Sequence, residues 1–397
     1  MIGEAAARER KIEAGDHKVA VFDAVAEGPT LIVVGSIHGN EPAGMHALEN
    51  VSRALKPISG RLRGRAYFLA GNTRALARDV RFINCDLNRH WTKENLAFNG
   101  QGKAAEDLEL GELLAIFENV LQTASDEVFV LDLHTTSAGG ATFATVGDTL
   151  RNRHFAQMFP LTILLGIEEQ LTGTMLEHLN NRGAVTLGFE GGQHASAEAV
   201  ENHSALIWLA LVNSCLLEPA DVPDLEDQRS LLRASTRQAR LLEVRYRESI
   251  TAEDDFHMNP GFSNFDPILR GQIIASNKYG PIRAAESGLI LMPLYQRLGE
   301  DGFFIGREIS PFWLWLSKVL RKFGAANLMP WLPGVQWDPT NKDSLVVDTR
   351  VARFFPLQIF HLLGFRRLRW EDQWLIVSRR RFDSVSPFTS GNGKDHG

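Results

Sequence analysis

The chain has only two cysteines in 397 residues, Cys85 and Cys215. That is too few for the disulfide framework on which small secreted folds rely. The pair fits a reducing compartment, and the expected location is the cytoplasm. No window approaches eighteen uninterrupted apolar residues, so no membrane-spanning helix is expected. Residues 1–10 are charged and carry no apolar stretch of the kind a secretory signal needs. Positive charge is not in excess either: the net charge is −6, and neither nucleic acid nor a membrane is expected as a partner. There are no internal repeats. What remains is a soluble globular composition, 44% hydrophobic, with length for two or three domains. A homo-oligomer is left open.

The first half alternates strands and helices. Residues 30–34, 66–70, 128–133, 161–165 and 184–189 read as strands. Residues 43–55, 104–121, 173–181 and 197–217 read as helices, with Pro42 suited to a first helical turn. This predicts an α/β domain over 1–218, with a mixed, mostly parallel sheet and helices on both faces. A Pro-rich linker at 219–224 follows. Residues 229–310 read as a small all-β module of short runs punctuated by glycine. Residues 311–397 form a C-terminal extension with a surplus of six Lys/Arg over Asp/Glu and six of the eight tryptophans. Those aromatics are expected to fill a small core, and residues 384–397 to be disordered.

Directly after the apolar run at 31–34 comes Gly35-Ser36-Ile37-His38-Gly39-Asn40-Glu41-Pro42. A His and a Glu three residues apart, on a turn leaving a buried strand, can offer a nitrogen and a carboxylate to one metal ion. Catalytic zinc takes three such ligands and keeps one position open. His134, at the end of the run at 128–133, is the candidate third. If these strands are neighbours, all three ligands emerge at the carboxyl edge of the sheet, where α/β sheets bind ligands. The run at 184–189 brings Glu190, followed by Gly191-Gly192, to the same edge. Asp132, two residues before His134, is a candidate partner for its ring. His46, His90, His194 and His203 read as structural or surface histidines.

Between these segments lies Arg81-Phe82-Ile83-Asn84-Cys85-Asp86-Leu87-Asn88-Arg89, without helical or strand periodicity. An arginine aimed at a developing oxyanion stabilises it. A second arginine can hold a substrate carboxylate in a bidentate fork, with Asn88 adding an amide N–H.

Together, GxxHGNE at 35–41, NCDLNR at 84–89 with Arg81 ahead of it, DLH at 132–134 and Glu190-Gly-Gly resemble the succinylglutamate desuccinylase/aspartoacylase family of the zinc carboxypeptidase clan. Pro293-Leu294-Tyr295-Gln296 and the run at 299–304 are similar to its closing motif. The resemblance implies one zinc per chain on His38, Glu41 and His134. It implies Glu190 as general base and then acid, Arg81 as oxyanion stabiliser, Asn88 and Arg89 as holders of the substrate's α-carboxylate, and Tyr295 as a residue reaching in from a β module that caps the site. The implied reaction is hydrolysis of an amide in a small N-acylated amino acid or amine. A zinc carboxypeptidase acting on short peptides is the alternative, and a non-catalytic binding protein on the same scaffold comes after it. Aspartoacylases carry a further arginine for the acyl group's carboxylate; the position ten before Glu190 is Asn180 here, and the nearest arginine is Arg182. For residues 311–397 the resemblance implies no role.

Overall fold

The computed structural model describes residues 13–389 apart from 25, 99, 195, 237, 239, 297, 298, 349, 352–356 and 372. The reading of residues 1–10 and the disorder expected over 390–397 lie outside the described residues. The first strands are β1 (Lys18–Asp23), β2 (Thr30–Gly35), β3 (Arg65–Ala70), β4 (Val128–Thr136), β5 (Phe143–Val146), β6 (Thr162–Leu165) and β7 (Val185–Gln193). Between and after them lie helices α1 (Ala43–Leu55), α2 (Thr73–Leu76), α3 (Lys93–Phe98), α4 (Ala105–Gln122), α5 (Leu150–Ala156), α6 (Met175–Asn181), α7 (Ala197–Asn213) and α8 (Leu225–Thr236).

Every residue of β2 is buried, as a central parallel strand covered on both faces requires. Its side chains alternate between two cores. Leu31 and Val33 pack with Leu48 and Val51 of α1 and Leu206 and Leu209 of α7. Ile32 and Val34 pack on the other face with Leu113 and Phe117 of α4 and Leu179 of α6. Helices on both faces therefore follow from a strand that is apolar at every position.

Residues 229–310 hold the expected β strands, antiparallel to one another, after the rest of α8. The strands β8 (Leu241–Ser249), β9 (His257–Met258), β10 (Pro267–Ile268), β11 (Ile273–Asn277), β12 (Gly280–Arg283), β13 (Gly288–Leu291) and β14 (Asp301–Glu308) divide between two sheets. β8 pairs in parallel with β6, and β14, β13 and β10 follow antiparallel beyond it. The result is one 11-stranded sheet in the order β1-β3-β2-β4-β7-β5-β6-β8-β14-β13-β10. β12, β11 and β9 form a separate three-stranded sheet. The boundary at 229 falls inside α8, and the expected linker holds a short 3-10 turn, Pro219–Asp221.

The last segment holds α9 (Pro311–Lys322), β15 (Val335–Trp337), β16 (Ser344–Asp348), α10 (Leu357–Leu362), β17 (Phe365–Glu371) and β18 (Trp374–Arg379), with the four strands in one antiparallel sheet. Its core is Leu345, Val347, Phe360, Phe365, Leu375 and Val377. The tryptophans do not fill it as expected: Trp313, Trp315 and Trp331 are exposed. Nor are residues 384–389 loose, because Ser386 Oγ donates to Glu127 at 3.0 Å and Phe388 packs on the α4 core. The segment docks on the α/β domain through ion pairs. Buried Arg321 meets Asp148 at 2.8 Å, and Arg380 meets Glu168 at 2.7 Å and Glu169 at 3.1 Å; within the segment Arg321 also meets Asp383 at 3.1 Å. Burial raises the Asp148 carboxyl, but Arg153, Arg321 and Arg380 hold it well below the usual range.

Phe68 on β3 is fully buried, whereas Phe323 is 85% exposed. Phe68→Ala is expected to cost about 3–5 kcal/mol. Phe323→Ala is expected to stay within about 0.5 kcal/mol of the parent. Urea unfolding followed by circular dichroism measures both.

Candidate active site

β4 and β7 are parallel neighbours, and their register sets His134 directly beside Glu190. Asp132 and His134 share one face of β4 by alternation. Asp132 Oδ2 lies 2.8 Å from His134 Nε2, so the expected ring partner is in place. β2 leaves the sheet at Gly35, and Ser36 turns the chain with φ +56. The Ser36 hydroxyl donates to the Glu41 carbonyl at 2.8 Å, closing the loop that carries His38 and Glu41.

This loop crosses the segment after β3 at close range. A Cβ on Gly39 would stand 2.3 Å from Ala75 C and Leu76 N, so only glycine fits. Gly39 N donates to Arg81 O at 3.1 Å, which ties the arginine segment to the histidine loop. Glu106 holds the same segment from below, accepting from Ile83 N at 2.7 Å and Asn84 N at 2.9 Å.

The donor atoms of His38, Glu41 and His134 all lie within 4.8 Å of one another. Glu41 sits between the rings, with Oε1 2.9 Å from His38 Nδ1 and Oε2 3.4 Å from His134 Nδ1. Each outer ring nitrogen faces a carboxylate: His38 Nε2 is 3.1 Å from Asp86 Oδ1, and His134 Nε2 meets Asp132. Burial raises the Glu41 carboxyl, but the two histidines outweigh it and hold it well below its ordinary value. Glu190 has no such partner. Its Oε2 is buried without a hydrogen bond, and burial beside Glu41 and Asp132 pushes the carboxyl up to about 8. A second trio, His17, Glu109 and Glu112, also clusters. Arg74 already bridges its two carboxylates at 2.9 and 2.8 Å, so that cluster is an ion-pair network.

A cavity of about 190 Å³ opens beside Glu190. It is bordered by His38, Glu41, His134, Arg81, Asn88 and Arg89 as well, so seven of the eight site residues expected from the sequence meet there. Arg81 donates to Asp86 Oδ2 at 3.0 Å and approaches Glu41 at 3.4 Å. Arg89 donates to Asp301 Oδ2 at 2.7 Å, and its Nε is buried without a partner. Asn88 Oδ1 accepts from Met175 N at 3.0 Å, while its Nδ2 has only long contacts of 3.4 and 3.5 Å to His134 and Asp132.

Tyr295 is the exception. Its hydroxyl donates within the turn at 259–262 and accepts from Phe262 N at 2.9 Å, and the ring is not on the cavity wall. Pro293, Leu294 and Gln296 line the cavity from that segment instead. His194, read as structural, also borders the cavity, with Nδ1 2.7 Å from Thr135 Oγ1 and Nε2 3.3 Å from Gln296. The only signal for it was its position four residues after Glu190, at the end of the same strand. Arg366 and Arg380 border the cavity too, and no sequence pattern links them to it.

The sheet edge thus gathers His38, His134, Glu41, Glu190, Asp132, Arg81 and Arg89 around one cavity. Residues 27–216 match the succinylglutamate desuccinylase/aspartoacylase catalytic domain, and the chain is similar to that family. An N-acyl-aromatic-L-amino acid amidohydrolase (carboxylate-forming) of Xenopus tropicalis is 27% identical over 300 residues, 72% of this chain and 87% of its own. A succinylglutamate desuccinylase of Pseudomonas paraeruginosa is 32% identical over 130 residues, which is 32% of this chain and 36% of that protein. The solved succinylglutamate desuccinylase/aspartoacylase from Rhodobacter sphaeroides shares the fold, with TM-score 0.54 at 17% identity, over 73% of this chain and 88% of that one.

The tight crossing at Gly39 gives a direct test. Gly39→Ala forces a Cβ into backbone and is expected to cost about 1–3 kcal/mol or more. Gly60→Ala, where a Cβ meets nothing within 4 Å, serves as the control and is expected to leave the urea midpoint in place.

Proposed function

We propose that this protein is a zinc-dependent amidohydrolase that cleaves the amide of a small N-acylated amino acid or amine. The observation that carries this reading is the donor set. Nδ1 of His38, Nδ1 of His134 and the Glu41 carboxylate converge, while Asp86 and Asp132 take the outer ring nitrogens. A carboxylate behind each histidine fixes its tautomer and raises its basicity as a ligand. Two imidazoles and one carboxylate suit zinc and leave a position open. Bound there, the ion would supply Lewis acidity toward a water and the scissile carbonyl.

The chain's own groups do the rest. Glu190, beside His134, takes the proton of the attacking water and returns it to the leaving amine. The carboxyl's raised pKa, caused by its burial, suits a group that must both accept and donate. Arg81 faces the carbonyl oxygen as negative charge builds. Arg89 is held by Asn88 O at 2.9 Å and Asp301 at 2.7 Å and turns its remaining N–H groups to the carboxylate of the amino-acid half, with the loosely held Nδ2 of Asn88 beside it. The unpaired cysteines fit a cytoplasmic location, and no helix among the described residues is long and apolar enough to cross a membrane.

Metal analysis of never-chelated protein is expected to give about one zinc per chain. His38→Ala should lose it, and Asp132→Asn should weaken binding about 10–100-fold. Protein without bound metal would remove the enzymatic reading and leave a binding protein on this scaffold.

Glu190→Gln should keep the zinc and lose about 10²–10⁴-fold in turnover. The substrate screen uses N-acetyl, N-succinyl and longer N-acyl derivatives of L-phenylalanine and L-glutamate. Hydrolysis of their amides is the expected result. Efficient cleavage of large unfolded peptides instead would point to a carboxypeptidase.

A further inference from the structure

The cavity has a second wall that neither the histidine loop nor the arginine segment supplies. Thr186, Gly188 and Glu190 alternate onto one face of β7, and all three border the cavity. Across from that face stand Leu176, Glu177 and Asn180 of α6, with Glu168 from the 3-10 turn Ile167–Glu169. Arg366 of β17 and Arg380, just past β18, close this side. Both arginines lie outside residues 27–216, the part matched to the family.

The two arginines are not equivalent. Arg380 donates through Nη1 to Phe365 O at 3.2 Å and through Nη2 to Glu168 and Glu169, and only 5% of its side chain is exposed. It holds Glu168 in place and has no terminal nitrogen to spare. Arg366 donates through Nη1 to Glu177 Oε1 at 2.6 Å, and among the described residues no other nitrogen of its guanidinium is bonded. Glu168 Oε2 is also buried without a partner. Folded proteins satisfy nearly all such groups. Nε of Arg366, Nε of Arg380 and Glu168 Oε2 are sealed off from the cavity, which leaves Nη2 of Arg366 as the donor on this wall without a partner among the described residues.

We infer that Arg366 determines specificity for the acyl half of the substrate, and that the acyl chain it selects ends in a neutral hydrogen-bonding group such as a primary amide. This rests on the amide-hydrolase reading of the same cavity, in which Arg89 is taken by the amino-acid carboxylate. Charge decides between a neutral and an anionic end. The wall sets two guanidiniums, Arg366 and Arg380, against two carboxylates, Glu177 and Glu168. A further carboxylate would arrive beside both acids with neither guanidinium unpaired, and like charges repel strongly away from water. A primary amide accepts from Arg366 through its oxygen and brings no charge to the wall. A plain alkyl end leaves Arg366 unfilled. Asn180 adds no cation: its Nδ2 donates to Ala184 O at 2.9 Å and Asn152 Oδ1 at 3.3 Å.

Three acyl groups of matched shape separate the cases: 3-carbamoylpropanoyl, succinyl and 4-methylpentanoyl, each on L-phenylalanine and on L-glutamate. The wild type is expected to show kcat/KM at least about tenfold higher for the carbamoyl compound, the worth of one good hydrogen bond. R366M should erase that preference. E177Q keeps the guanidinium but removes its balancing charge, and should shift the ratio toward succinyl by about tenfold, which a merely structural Arg366 would not produce. Calorimetric binding to the E190Q protein should give the same ranking without turnover. A wild-type preference for succinyl or alkyl overturns the inference, and so does an unchanged ranking in R366M and E177Q. If no compound is hydrolysed by the wild type or bound by E190Q, the amide-hydrolase reading falls and this one with it. Hydrolysis with a flat ranking overturns this one alone.

Discussion

Two buried glutamates near the start of α4 hold the site together. Glu106 accepts from Ile83 N, Asn84 N and Asn72 Nδ2, and Glu109 accepts from Thr73 N, Thr73 Oγ1 and Arg74 N. Both side chains are wholly buried. A carboxylate so placed is tolerated only because hydrogen bonds replace its lost water. The segment from Arg81 to Arg89 has almost no regular structure of its own to place its arginines. Its geometry is set by backbone N–H groups converging on a helix that is itself anchored in the core by Leu110, Leu113 and Phe117. The backbone that carries Arg81, Asp86, Asn88 and Arg89 is thus anchored in part by Glu106, which does not border the cavity.

Much of the α/β domain could be read from residues alone because its signals are local. The unbroken apolar run of β2 has no reading other than a strand covered on both sides, and the His38 and Glu41 loop leaves its end directly. β4 and β7 carry the same kind of run, and each delivers one site residue at its carboxyl end. The neighbouring placement of His134 and Glu190 was implied once both strands were parallel members of one sheet.

What local patterns leave open depends on pairing between distant segments. The alternating pattern of Leu241–Ser249 fits an edge of a separate sheet or an extension of the central one equally well. Only pairing with β6 decides, and β6 lies about eighty residues earlier. Tyr295 sits next to cavity-lining Leu294 and Gln296, yet its hydroxyl is claimed by the turn at 259–262, a bond that no local pattern announces. The tryptophans of the last segment suggested a core by their number, but smaller aliphatic residues and two phenylalanines fill it. Arg366 reaches the cavity only because the final sheet folds back onto α6.

The order in which the chain leaves the ribosome gives that last sheet a temporal meaning. His38, Glu41 and His134 are all made by residue 134, and Glu190 follows before β8. β8 and β14 then finish the long sheet. The wall carrying Arg366 and Arg380 is the last part of the cavity to be made. Until it docks, Glu168, Glu169 and Glu177 face water without their arginines, and the cavity is open on that side. A chain clipped before β17 thus keeps His38, Glu41, His134 and Glu190 but lacks the two guanidiniums that border the same cavity.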